Sequence, residues 1–297
     1  MNRHTADRPA SVGWTLDTVS FQYPAATVRA VDHVTTSIRP GQFTALVGPN
    51  GSGKSTLFRL LLGALRAEEG LVQFGGRRLD HWSRRDLART IGVVPQNEEI
   101  TFPLTVRELV LMGRYPHLGA LQALGRRDHI IAESAMERCD VLPLADRPIS
   151  TLSGGERQRA RIARAIAQEP LAFAFDEPTI ALDLGHEMRI FELARHFTST
   201  GATVLMATHN LNLAARYADT LVLMHQGRIR AAGLPADVFR KDILENVYEW
   251  PLEITTHPGP GPDAGAVQLV PVRGGAAEYR DEHTDGGSEK NGGSEKS

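Results

Sequence analysis

Residues 43–56 read Phe-Thr-Ala-Leu-Val-Gly-Pro-Asn-Gly-Ser-Gly-Lys-Ser-Thr, and this stretch decides the fold. Phe43 to Val47 is a short apolar run without polar alternation, the pattern of a strand buried on both faces. Residues 55–65 then carry a helical pattern. Between strand and helix lies Gly48-Pro49-Asn50-Gly51-Ser52-Gly53-Lys54-Ser55-Thr56, which fits G-x-x-x-x-G-K-[ST]. Glycines let the backbone turn tightly and bring N–H groups near phosphate oxygens. The helix points its positive end at the same oxygens. Lys54 is expected to add a point charge at the β- and γ-phosphates, and Ser55 a hydroxyl for Mg²⁺. A strand–loop–helix of this kind predicts a nucleoside triphosphate site in an α/β domain.

Working outward, further apolar runs fall at Ile91–Val94, Leu171–Phe175 and Thr203–Ala207, and Leu221–Met224 precedes a Gln226-Gly227 turn. Strands alternating with helical patterns predict a mostly parallel sheet covered on both faces. The stretch of about 97–167 breaks the alternation. It holds helix-like segments at Val106–Met112, Asp128–Arg138 and Gly154–Ala167, and reads as a helical subdomain inserted in the core. The run Leu-Ala-Phe-Ala-Phe-Asp-Glu (171–177) is a strand ending in acids. Asp176 suits the Mg²⁺ shell, because hard cations favour oxygen ligands. Glu177 is the expected general base or water-orienting group.

The chain has 297 residues, 41% hydrophobic and 23% charged, with a formal net charge of −2. That composition predicts a sizeable core and gives no sign of a nucleic-acid partner. A single cysteine, Cys139, leaves no intramolecular disulfide. No run reaches the roughly 18 to 20 apolar residues of a membrane span, and no signal peptide is visible at the start. The expected organisation is a flexible tail over 1–13, one cassette over 14–254, and a disordered tail over 255–297 that closes in GGSEKNGGSEKS.

Residues 151–158, Thr-Leu-Ser-Gly-Gly-Glu-Arg-Gln, add the feature that names a family. Ser153 suits an N-cap and Gly154-Gly155 allow close backbone approach to a ligand. With the loop and the acids, this LSGGE segment resembles the LSGGQ signature of ABC ATPases. The resemblance spans roughly residues 14–254 and implies a P-loop NTPase (RecA-like) core, an antiparallel β-subdomain and the inserted α-helical subdomain. It also implies that two copies pair head to tail, so that Ser153, Gly154 and Gly155 of one copy close on ATP held by the other. Gln96 is similar to the Q-loop residue, which contacts Mg²⁺ or the attacking water. His209 resembles the switch histidine that senses the γ-phosphate, and Tyr23 the aromatic that stacks on adenine. Ala181-Leu182-Asp183 resembles the D-loop, with Ile180 where many relatives have serine.

The run VRELVLMGRYPH (106–117) is similar to subunits that power import of ferric siderophores, haem or cobalamin. By that resemblance Arg107, Arg114, Tyr115 and His117 lie on or near the helical subdomain and face a permease. The implied partners are ATP, a second copy, integral membrane permease subunits and, indirectly, a substrate-binding protein. The implied place is the cytoplasmic side of the cell membrane. A stand-alone exporter cassette is the alternative. The two-cassette chains of translation factors and the coiled coils or zinc insertions of repair ATPases have no counterpart in the sequence.

Overall fold

The computed structural model describes residues 12–96, 98, 102–179 and 182–273. In chain order the elements are β1 (Trp14–Phe21), β2 (Val31–Ile38), β3 (Phe43–Val47), α1 (Lys54–Leu61), β4 (Glu69–Phe74) and β5 (Arg77–Arg78). Next come α2 (Arg84–Thr90), β6 (Ile91–Val94), α3 (Val106–Leu111), α4 (Arg126–Arg138), α5 (Gly154–Ala167), β7 (Ala172–Asp176) and α6 (Leu184–Ser199). The last are β8 (Thr203–Ala207), α7 (Leu211–Tyr217), β9 (Thr220–His225), β10 (Arg228–Gly233), α8 (Pro235–Val238), α9 (Lys241–Tyr248), β11 (Leu252–Thr256) and β12 (Val267–Pro271).

The central sheet has the order β10-β9-β3-β8-β7-β6; neighbours from β9 to β6 run parallel, and β10 returns antiparallel on the edge. A second, antiparallel sheet, β2-β1-β4-β5, forms the β-subdomain. Every residue of β3, β7 and β8 is buried, because successive side chains point to opposite faces and both faces are covered. Phe43, Ala45, Val47, Phe173, Phe175, Val204 and Met206 join a core with the inserted helices, α6 and α9. The alternate residues Leu46, Ala172, Ala174, Leu205 and Ala207 join a core with α1 and the β-subdomain. The phosphate loop thus leaves the sheet at the C-terminal end of a central strand, the usual ligand crevice of an open α/β sheet.

The inserted unit is α3, α4 and α5, packed on one another between β6 and β7. α3 starts with a capping box: Thr105 Oγ1 accepts from Glu108 N at 3.2 Å, and Thr105 N donates to Glu108 Oε2 at 2.8 Å. Cys139 caps the C-terminal end of α4, and burial pushes its thiol up to about 12, which makes it a packing residue.

Three expectations need correction. Val12 is buried in the β-subdomain core and its carbonyl accepts from Thr203 Oγ1 at 2.5 Å, so order begins inside the expected N-terminal tail. At the other end the chain does not loosen at 255. β11 and β12 form an antiparallel hairpin with Leu252 opposite Pro271 and Thr256 opposite Val267, docked on α7. Its ladder and apolar residues Ile254, Val267 and Leu269 supply the burial that the Gly/Pro-rich turn between them lacks. Residues 274–297 lie outside the described residues. Third, Arg114 does not face outward. Its side chain is 5% exposed; Nε donates to Asp128 Oδ1 at 3.0 Å, and Nη1 donates to Ala167 O at 2.7 Å and Glu169 Oε2 at 2.9 Å. His117 bonds Gln168 O at 2.8 Å. The RYPH turn therefore ties α3 and α4 to the end of α5. Tyr115 is exposed, and Arg107 is spent on Asp146 and Glu133.

Candidate active site

The phosphate loop is held open by its glycines. Gly48 and Gly53 have φ of +146° and +102°, and a Cβ on either would collide with the carbonyl of Met224 or Ala30 respectively. α1 begins at Lys54 with no side-chain cap, whereas α2, α3, α5, α6 and α7 each start with one. The first N–H groups of α1 are therefore left for a ligand. Lys54 is buried, and Nζ donates to Gly48 O at 2.8 Å and Pro49 O at 3.0 Å. Burial lowers its pKa, while Glu177 and Asp176 oppose that shift. Ser52 Oγ is buried without a partner. Pro49, Asn50 and Gly51 shape the turn, and Ser55 and Thr56 open the helix. Tyr23 lies beside this helix: its hydroxyl is 3.3 Å from Thr56 Oγ1 and accepts from Arg59 Nη1 at 3.3 Å, while its ring meets Phe21 edge-on.

The acids stand at the end of β7. Asp176 is buried and its Oδ1 has no hydrogen-bond partner. Desolvation, reinforced by the neighbouring Glu177, raises its pKa to about 6. A buried carboxylate with an unpaired oxygen is a ready cation ligand. Among the described residues no group of three His, Cys, Asp or Glu could hold a metal ion. Glu177 is 5% exposed and adopts a left-handed backbone, φ +50°, with its N–H donating to Ala207 O at 2.9 Å. Its carboxylate is gripped from two sides. Gln96 Nε2 donates to Oε2 at 2.5 Å, and His209 Nε2 lies 2.5 Å from Oε1. A non-glycine residue in this backbone region persists only when its surroundings over-determine it, as they do here.

The signature segment lies on the surface. Ser153 Oγ accepts from Glu156 N at 3.2 Å, and Ser153 N donates to Glu156 Oε2 at 2.8 Å, a closed capping box. Glutamate at this position thus serves the helix start, and the backbone N–H of Ser153 holds its carboxyl below the usual range. Ser153 and Gly154 are exposed and Gly155 is half-buried. Among the described residues no hydrogen bond links this segment to the phosphate loop of the same chain. Asp183 caps α6, accepting from His186 N at 2.8 Å and His186 Nδ1 at 2.7 Å. Ile180 and Ala181 lie outside the described residues.

Two features escape a reading by motif. Glu98, two residues past Gln96, accepts a bidentate pair from Arg164 Nη1 and Nη2 at 2.8 and 2.9 Å, and its carbonyl accepts from Arg161. Glu98, close behind Gln96, is thereby bound to α5, the helix that Ser153 caps. The second is β12, whose Leu269 and Pro271 line a cavity together with Glu177 and His209.

Comparison places this geometry in a family. The family model described as ABC transporter matches residues 31–180. The chain is 43% identical over 245 residues to the hemin import ATP-binding protein HmuV of Nocardia farcinica (strain IFM 10152), covering 82% of this chain and 83% of that one. Its structure resembles that of an inward-facing metal-chelate type ABC transporter, with a TM-score of 0.75 at 27% identity, covering 89% of this chain and 98% of the other. A dimeric post-hydrolysis ATP-binding cassette bound to ADP and Pi aligns with a TM-score of 0.67 at 26% identity, covering 75% and 98%. The chain belongs to the ABC transporter family, as an ATP-binding subunit and an ABC-type ATPase.

Proposed function

We propose that this ATPase powers haem import and that it works as a head-to-tail pair, each copy completing the other's site. The observation that carries the catalytic reading is Glu177, buried and clamped between Gln96 and His209 one residue beyond the unpaired Asp176. The cargo rests on the likeness to a hemin import ATP-binding protein. Ferric siderophores and cobalamin are the competing cargoes.

In this reading Gly48 to Thr56 wrap the phosphates, with backbone N–H groups and Lys54 as donors. Tyr23 stacks on adenine through its ring face. Asp176, Ser55 and Gln96 would hold a Mg²⁺ ion, whose chemistry is to neutralise charge on the phosphate oxygens. Glu177 orients a water and takes its proton; His209 holds the Glu177 carboxylate in place. Ser153, Gly154, Gly155 and Asp183 of the second copy close over the nucleotide. The exposed signature, already satisfied within its own chain, is the half-site such pairing requires. Among the described residues no helix is long and apolar enough to cross a membrane, so permease subunits would carry that task, with a substrate-binding protein delivering cargo. The pair would sit on the cytoplasmic face.

The test uses Glu177→Gln with ATP and Mg²⁺. The variant is expected to bind ATP and accumulate as a closed dimer without turnover; a monomeric, active variant refutes the assignment. With its permease in vesicles, the wild-type chain is expected to drive ATP-dependent haem uptake. Uptake of a ferric siderophore or cobalamin in its place would replace haem as the cargo.

A further inference from the structure

A cavity of about 500 Å³ opens beside the catalytic acid. Glu177, Thr208, His209 and the first turn of α7 line its inner side; Leu269 and Pro271, from β12, line the other. The C-terminal hairpin is thus a wall of the space in which Glu177 and His209 meet. One side chain of α7 grips its backbone from both sides of a single residue. Asn212 Nδ2 donates to Leu269 O at 3.1 Å, and Leu269 N donates to Asn212 Oδ1 at 2.8 Å. Leu269 pairs with Ile254 on its other side, so Asn212 stands where a third strand would, meeting both outward backbone groups. Arg216, one turn further along α7, reaches Asp263 in the hairpin turn at 3.7 Å.

The same helix follows directly on His209. α7 starts two residues after His209, with Asn210 as its cap: Leu213 N donates to Asn210 Oδ1 at 3.0 Å, and Asn210 N donates to Thr208 Oγ1 at 3.1 Å. Residues 208–213 are one hydrogen-bonded run with Glu177 at one end and the hairpin at the other.

We propose that Asn212 is a positioning residue for ATP hydrolysis: by clamping Leu269 it holds the C-terminal hairpin as the outer wall of the catalytic cavity and steadies the turn that presents His209. This rests on the assignment of Glu177 and His209 proposed above. The test is steady-state ATPase activity of the purified full-length chain carrying Asn212→Ala, Leu269→Pro, or both. Leu269→Pro removes the outward N–H that donates to Asn212, on an edge strand where proline is tolerated, and exchanges the Leu269 side chain for a smaller apolar ring while Ile254 and Val267 keep the hairpin packed on the core. Each single variant is expected to lower kcat at least fivefold with KM for ATP within twofold of wild type. The double variant is expected to be no slower than the slower single, because both act through one clamp. A wild-type kcat in either single variant overturns the proposal, as does a parallel rise in KM or effects that multiply in the double variant. If Glu177→Gln traps the ATP dimer while Asn212→Ala stays fully active, the catalytic reading stands and this one falls. If Glu177→Gln itself turns over ATP, the catalytic reading falls first.

Discussion

Arg114→Met removes the guanidinium that joins three helices, and the structure sets the size of the loss. Arg114 is 5% exposed and its partner Asp128 13%, so truncation leaves a poorly hydrated carboxylate. Breaking a buried pair by removing one partner costs about 3 to 5 kcal/mol. Asp128 keeps the Gly125 N–H at 2.9 Å, and Glu169 is 45% exposed and loses little. The Ala167 carbonyl also loses a donor. A net cost of about 3 kcal/mol follows, near the lower bound. For a domain of this size each kcal/mol moves Tm by roughly 2 to 4 °C, so the fall should be about 6 to 12 °C. Arg107→Met is the control, since its partners Asp146 and Glu133 are 86% and 52% exposed and worth less than about 1 kcal/mol together. Thermal unfolding of the nucleotide-free chain by calorimetry measures both. An Arg114→Met variant melting within about 2 °C of wild type, with permease-stimulated turnover lost, would refute the burial argument and return Arg114 to a partner-facing role.

The Glu98–Arg164 pair should couple the Gln96 loop to α5. Glu98→Gln and Arg164→Gln are each expected to slow ATP turnover, and the double variant should be no slower than the worse single. A coupling energy of about 0.5 to 3 kcal/mol would register the link, and strict additivity would deny it. Asp176 should make the nucleotide-free chain less stable as pH rises. Its folded pKa of about 6 exceeds the ordinary 3.8, so the native state binds the proton more tightly and stability is lost between about pH 4 and 6. Two pKa units correspond to roughly 2 to 3 kcal/mol. Asp176→Asn should flatten that slope, raise Tm at pH 8 by several degrees and abolish turnover. Equal slopes in the two proteins would show that another group is responsible.

What could be read from the sequence was local. Lys54 reaches Gly48 O across six positions, and Ser153 and Glu156 close their box across three, so both appear as motifs. Runs such as Phe43–Val47 and Thr203–Ala207 show as strands because both faces are buried and no alternation confuses them. The expected helix over 55–65 ends at Leu61, whose carbonyl accepts from the Trp14 indole at 2.9 Å, a contact from another subdomain. The burial of Arg114 leaves no local sign, because its partners Ala167 and Glu169 stand 53 and 55 residues away. The hairpin looks like a loose tail in sequence because its turn is rich in Gly and Pro, while its anchor, Asn212, lies 57 residues from Leu269.

The same division runs through the active site. Gln96, Glu177 and His209 are each legible as a residue after a strand, yet nothing local says that one carboxylate is shared, because Gln96 and Glu177 are 81 residues apart. Motifs record the groups proposed to meet the nucleotide, since phosphate chemistry fixes their types and spacing. The groups that hold those groups, Glu98, Arg164 and Asn212, answer only to geometry, and any pair of suitable length could do their work. A change in a motif residue therefore tests which groups carry the hydrolysis. A change in a holder tests whether this arrangement of the Q-loop, the signature helix and the hairpin sets its rate.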